Sequence, residues 1–226
     1  MIKSADHVQH IVKKPWGYEY LAYQTNALAL WVLHLNHGEA TSMHCHPNKQ
    51  TGFVLLSGKV ELSFLADSKT MEAPEKQMIR RGLFHSTTAI SEEGAVVLEL
   101  ETPNDKLDLV RLEDRYGREA LGYEGPDEET SKPQECLWIE DDPTGVPRTF
   151  NYAGRSIRLL GFKDVEELEL LSDESIIIFL RGGLQKSVSG AVKRITVPGD
   201  IGRAGIVKQV SRAGTRFATD TIALVI

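Results

Sequence analysis

Apolar residues in this chain gather in short runs rather than on helical faces. Ala29 to Leu35, Gly52 to Leu56, Val60 to Leu65, Ala95 to Leu100, Ser175 to Leu180 and Thr221 to Ile226 each have strand length. Most are bounded by Gly, Pro, Asn or Asp, and β-branched residues are common inside them, which predicts strands. Only Lys163 to Leu171 suits a helix, through the spacing of Val165, Leu168 and Leu171, and a strand fits that stretch as well. Many short strands with frequent turn signals predict an all-β barrel or sandwich.

The pattern also divides the chain. From Gly122 to Pro133 the sequence is polar and acidic, with a Pro near either end (Pro126 and Pro133), as in a linker or exposed crossing segment. Beyond it, Ile176-Ile177-Ile178-Phe179-Leu180-Arg181-Gly182-Gly183 echoes Phe53-Val54-Leu55-Leu56-Ser57-Gly58: a buried-looking strand, a glycine turn, then another strand. The expected organisation is a first β-unit over 1–122, a linker over 123–136 and a second β-unit over 137–226.

Composition narrows the function classes. The 226 residues carry a formal charge of −6, which argues against nucleic acid, since that partner recruits a basic face. No run approaches the roughly 20 apolar residues of a membrane span, and Met1 to His7 lacks the apolar core of a secretory signal. Two cysteines, Cys45 and Cys136, cannot build a disulfide framework, so a cytoplasmic location is expected. Cys45 is expected to be inert core.

The histidines carry the chemistry. All seven lie within the first 85 residues, and the second half has none with which to build a histidine metal site. On a strand, His44 and His46 project to one face while Cys45 points to the other. Their Cα atoms would lie about 7 Å apart, close enough for two imidazoles to converge on one ion. A third ligand from a neighbouring strand would complete the set, and His85 is the candidate.

These residues resemble the cupin family. Its first motif is a Gly, five residues, His-x-His, three residues, a fourth ligand and a downstream Gly; Gly38, His44, His46, Gln50 and Gly58 follow it. Gly82 and His85 match the end of the second motif. The resemblance implies a double-stranded β-helix or jelly-roll barrel holding one divalent metal ion (Zn, Fe, Mn or Ni) through His44, His46, Gln50 and His85, with a second, degenerate cupin-like barrel after it. The family usually has Glu where Gln50 stands, and the interval to Gly58 is one residue longer here. Arg80 and Ala89 replace a usual Pro and Asn. A glutamine can ligate through its amide oxygen but brings no charge, leaving the ion a stronger polariser of a substrate oxygen. Alternatively, Gln50 stands behind the ligands and water fills the position.

Lys14-Pro15-Trp16-Gly17-Tyr18-Glu19 and the segment Asp108 to Arg118 further resemble the opening and ending of the cupin-type mannose-6-phosphate isomerases. Leu98 to Pro103 resembles their last barrel strand, although Asn48-Lys49-Gln50-Thr51 departs from their run after the second histidine. This resemblance implies a metal-dependent isomerase or epimerase acting on a sugar or sugar phosphate. The alternatives are an Fe(II)-dependent dioxygenase using the same ligands and a non-catalytic metabolite-binding protein. Glu99 and Glu101 share a strand face and are the candidate bases. Lys49, Arg81 and Arg111 are candidates for a substrate phosphate or carboxylate. Trp16 is expected in the core, and Asp108, Asp114 and Arg115 in structural pairs. A small-molecule carbohydrate partner and a homodimer paired through sheet edges complete the expectation.

Overall fold

The computed structural model describes residues 11–118, 129–130, 136–140 and 146–226. The chain forms two compact units, Met1–Ile139 and Glu140–Ile226. Most of the segment expected as a linker, 123–136, lies outside the described residues; Glu129 and Thr130 within it pair with the first strand of unit one.

The first unit contains β1 (Ile11–Lys14), β2 (Gly17–Gln24), β3 (Ala29–Leu35), β4 (Met43–Cys45), β5 (Gln50–Ser57), β6 (Lys59–Phe64), β7 (Ser68–Glu72), β8 (Glu75–Ile79), β9 (His85–Ala89), β10 (Ala95–Thr102), β11 (Val110–Glu113) and β12 (Glu129–Thr130). They make a seven-stranded sheet, β12-β1-β2-β3-β10-β5-β8, and a five-stranded sheet, β11-β4-β9-β6-β7. The paired strands are antiparallel. Chain order alternates between the sheets as a double-stranded β-helix requires, and the two are facing open sheets rather than one closed barrel. Trp31, Leu33, Phe53, Leu55 and Val97 of the larger sheet and Val60, Leu62, Met71 and Ala89 of the smaller share one core.

The register explains why the sequence shows runs rather than alternation. Trp31, Glu99 and Phe53 are cross-strand partners on the inward face, whereas Val32, Leu98 and Val54 are partners on the reverse face. Those reverse-face residues are buried too, as are Leu30, Leu56 and Leu100. A strand buried on both faces reads as a continuous apolar stretch.

The second unit contains β13 (Arg148–Tyr152), β14 (Arg155–Phe162), β15 (Ile176–Arg181), β16 (Leu184–Val188), β17 (Ala191–Arg194), β18 (Ile201–Arg203), β19 (Arg216–Phe217) and β20 (Thr221–Val225). Its sheets run β13-β14-β20-β15-β18 and β17-β16-β19. That order repeats β2-β3-β10-β5-β8 and β7-β6-β9 of the first unit strand for strand. The echo seen in sequence is the β5–β6 turn against the β15–β16 turn. Gly58 has φ +82°, and a Cβ there would lie 2.3 Å from the Gly94 carbonyl oxygen; Gly182 has φ +66°.

The repeat is reduced where the first unit carries its histidines. In chain order the place of β4 is taken by a 3-10 helix, Val165–Leu170, which settles the ambiguous stretch around Lys163. The Glu167 carboxylate accepts the backbone N–H groups of Lys163 and Asp164 at 2.9 Å each, capping the turn. Helix α1 (Ala204–Ser211) replaces the turn before β9. Leu168, Ala204 and Val207 from these helices join Phe162, Ile177, Phe179 and Phe217 in an apolar core.

Candidate metal centre

His44 lies on β4, His46 follows the end of that strand, and His85 opens β9 directly opposite His44 in the ladder. Their ring centroids are 4.5, 5.0 and 5.6 Å apart. Each ring is oriented by a backbone carbonyl. Nδ1–H of His44 donates to Ser42 O at 2.8 Å, that of His46 to Asp108 O at 2.6 Å, and that of His85 to Leu83 O at 2.9 Å. This arrangement leaves the Nε2 lone pairs as the free donors. Nε2 of His46 and of His85 is buried without a hydrogen-bond partner.

Burial, then the neighbouring imidazoles, holds His44 well below the usual histidine range. Burial also lowers His46 and brings His85 to about 4. The three rings are therefore neutral near pH 7, the form that coordinates a cation. Glu99 completes the cluster: its carboxylate oxygen and one nitrogen from each ring lie within 4.8 Å of one another. Three inward-facing imidazoles, two of them with an orphaned Nε2, beside a buried carboxylate fit a divalent metal ion.

Glu99 on β10, rather than the expected Gln50, is the carboxylate that joins the three histidines in this cluster. Gln50 pairs with Thr102, and Thr51 with Glu101. Alternation places Thr51, Phe53, Glu99 and Glu101 inward and Gln50 with Gly52 and Val54 on the reverse face. The extra residue between Gln50 and Gly58 accounts for this: counting back from Gly58 by the shorter family interval lands on Thr51. A one-residue offset on a strand reverses the side chain, so Thr51 stands inward and Gln50 outward, while the carboxylate of the cluster comes from the adjacent strand.

The pocket above the cluster is lined by charged groups, among them Lys14, Glu19, Lys49, Glu101, Lys106 and Arg118. Lys49, 1 % exposed, donates to Glu101 Oε1 at 2.8 Å. Lys106 stands 3.3 Å from Glu19 Oε1 and 3.9 Å from Glu101 Oε1, with its ammonium over the Trp31 ring. Burial and the adjacent Glu101 raise Glu99 to about 8. For Glu101, burial pulls the other way but Lys106 and Lys49 outweigh it, holding it below the usual carboxylate range. Two carboxylates on one strand face are thereby driven apart in acidity.

Of the expected anion contacts, Lys49 and Arg111 reach the pocket, Arg111 being the ladder partner of His44. Arg81 is exposed between β8 and β9 and does not line it. Trp16 is 4 % exposed, joins the core and touches the pocket wall. The Asp108 carboxylate accepts from the backbone of Asn48 and Lys49 at 2.8 Å each, tying the segment before β11 to the histidine strand. Asp114 pairs with Arg118 at 2.8 Å, while Arg115 donates to Gly38 O at 3.5 Å. Cys45 is buried and burial, then Asp108, raises its thiol. Sequence reasoning missed Glu19, Lys106 and Arg118 as pocket-lining residues. Two of these lie inside the segments singled out as isomerase-like, so the signal was there for Glu19 and Arg118; nothing local marks Lys106.

No protein-family model and no curated protein matches the chain. Solved structures similar to part of it include a double-stranded β-helix protein from Klebsiella pneumoniae (19% identity, TM-score 0.39, covering 42% of this chain and 79% of that one). KdgF from Halomonas sp. is similar at 14% identity and TM-score 0.40, covering 45% of this chain and 93% of that chain. The capsular polysaccharide assembling protein CapF from Staphylococcus aureus is similar at 18% identity and TM-score 0.42, over 46% of this chain and 34% of its own. The strand order of the first unit is that of a double-stranded β-helix. No helix among the described residues is long and apolar enough to cross a membrane.

Proposed function

We propose that the first unit is a metal-dependent isomerase- or epimerase-like enzyme acting on a small hydroxylated carbonyl compound, a sugar or sugar phosphate. The observation that carries it is the division of labour between two adjacent carboxylates: Glu99 sits in the donor cluster, and Glu101 stands beside it in an ion pair with Lys49. Zn, Fe, Mn or Ni, held by His44, His46, His85 and Glu99, would polarise a substrate carbonyl or hydroxyl oxygen. Glu101, kept ionised by Lys106 and Lys49, accepts the proton from the adjacent carbon, and its Oε2 is free to do so. Arg111 and Lys14 line the same pocket and meet an anionic end of the substrate. We place the enzyme in the cytoplasm as a homodimer.

The test is elemental analysis of protein purified without chelator or metal-affinity resin, followed by NMR of aldose and ketose phosphates in D2O. Near-stoichiometric metal, lost in a His44→Ala, His85→Ala double variant, and deuterium incorporation at the carbon beside the carbonyl are expected. Oxygen uptake by an iron-loaded protein would instead select the dioxygenase, and ligand binding without exchange under any metal would select a binding protein.

A further inference from the structure

A cavity of about 240 Å³ lies in the second unit, against about 60 Å³ above the histidine cluster. It approaches the roughly 300–1,000 Å³ of small-molecule sites. Its walls are the Gly182-Gly183 turn between β15 and β16, the segment after β17 and the residues between β19 and β20, with Gln185 and Arg194 at the side. Backbone groups hold these walls together. Gly183 N–H donates to Thr221 Oγ1 at 3.1 Å, Leu184 N–H to Thr196 Oγ1 at 2.7 Å, and Ala218 N–H to Gly183 O at 2.8 Å. Gly183 has φ +120°, and a Cβ there would lie 2.5 Å from the Thr196 carbonyl oxygen. The turn is pinned against the wall opposite, so the cavity is preformed.

The charge around this cavity is one-sided. Gln185 is the ladder partner of Arg194 on β17 and of Arg216 on β19, so the two arginines stand on one sheet face, either side of it. Two strand spacings put them about 10 Å apart at Cα. Among the described residues neither is in an ion pair, and no Asp or Glu lines the cavity. From Ser175 to Ile226, eight Lys and Arg stand against two Asp and no Glu, in a chain whose formal charge is −6. Arginines without a counter-charge beside a preformed polar cavity attract an anion, and the guanidinium fork matches the two oxygens of a phosphate or carboxylate.

We propose that this cavity is a second binding site, for a small polar molecule carrying one oxyanion group, a phosphate or a carboxylate. Arg194 meets the oxyanion, Arg216 adds to the field that draws it in, and the Gln185 amide offers a donor and an acceptor to the uncharged part of the ligand. All of these residues belong to the second unit, so the site stands or falls independently of the metal centre.

The test is NMR of the ¹⁵N-labelled, metal-free full chain at fixed ionic strength, titrated separately with inorganic phosphate and with acetate. Saturable shifts at the Gly182, Gly183, Thr196 and Ala218 amides are expected in the millimolar range with at least one probe, and the tighter probe names the ligand's group. Arg194→Gln should weaken that binding about tenfold, the value of one charged hydrogen bond. Lys193→Gln removes the same charge from the opposite face of β17 and should change it less than about twofold. Arg194→Lys, which keeps the charge but loses the fork, should fall between them. Absence of saturable shifts at these amides with both probes overturns the site. So does an equal loss in Arg194→Gln and Lys193→Gln, which would mean diffuse attraction to a basic surface.

Discussion

Loading the centre with metal should release close to one proton at pH 7, and that proton should come from Glu99. Burial and the neighbouring Glu101 raise this carboxyl to about 8, so it is protonated in the metal-free protein. A group titrating near 8 holds about 0.9 proton at pH 7, and a coordinating carboxylate must give it up. The imidazoles add nothing, because all three are depressed and His85 titrates at about 4. Metal affinity should therefore rise close to tenfold per pH unit between about 6 and 8 and level off above, where Glu99 is already ionised. The assay is calorimetric titration of zinc or cobalt in buffers of differing ionisation enthalpy, whose slope gives the number of protons released. Glu99→Gln has no proton to lose: its titration should be independent of the buffer. Its affinity should fall by more than the roughly 10–100-fold that loss of an outer hydrogen-bond partner costs. A buffer-independent heat in the unmodified protein, or one proton still released by the Glu99→Gln variant, would refute the assignment of Glu99 as a ligand raised by burial.

Stability should follow the same groups. In the metal-free protein the folded pKa of Glu99 lies above its ordinary 4.5, so its contribution is present at low pH and lost as the pH rises through about 8. The histidines are depressed, so theirs is present above 6.5 and lost as the pH falls towards 4. Thermal midpoints should peak near neutrality, and Glu99→Gln should flatten the fall above it, where Glu99 titrates without the histidines. Thr51→Val removes an unpartnered buried hydroxyl and should stabilise the fold by about 1 kcal/mol, roughly 3 °C by differential scanning calorimetry. Lys49→Met leaves the buried Glu101 without its closest cation and should cost about 3 kcal/mol in urea denaturation, most of it recovered in Lys49→Met/Glu101→Gln. Arg81→Ala, at an exposed turn away from the pocket, should leave metal affinity and stability within about 0.5 kcal/mol of the unmodified protein.

The sequence by itself determined the strands, the echo between the halves and the convergence of His44 and His46, because each is a matter of local period. A strand's side chains alternate with period two, so a His-x-His pair shares a face wherever the strand goes. The turn glycines were legible for the same reason: Gly58 and Gly182 adopt a backbone that other residues resist. The absence of histidine beyond residue 85 already denied the second half a histidine metal site.

The tertiary structure alone decided which residues meet. His85 reaches His44 only through the β4–β9 pairing, and Glu99 joins them from the opposite sheet. Lys106 enters the carboxylate group from the segment after β10, in contact with Glu19, far away in sequence. That Glu99 stands beside the histidines was hidden because a motif fixes residue spacing, while the register of β5 against β10 fixes the side on which each residue stands. In the second unit the same strand order surrounds apolar helices rather than a histidine strand, which topology alone could not foretell. Local periodicity is written into consecutive residues; register and sheet packing come from the burial of surfaces distant in the chain, and these set the chemistry of the pocket.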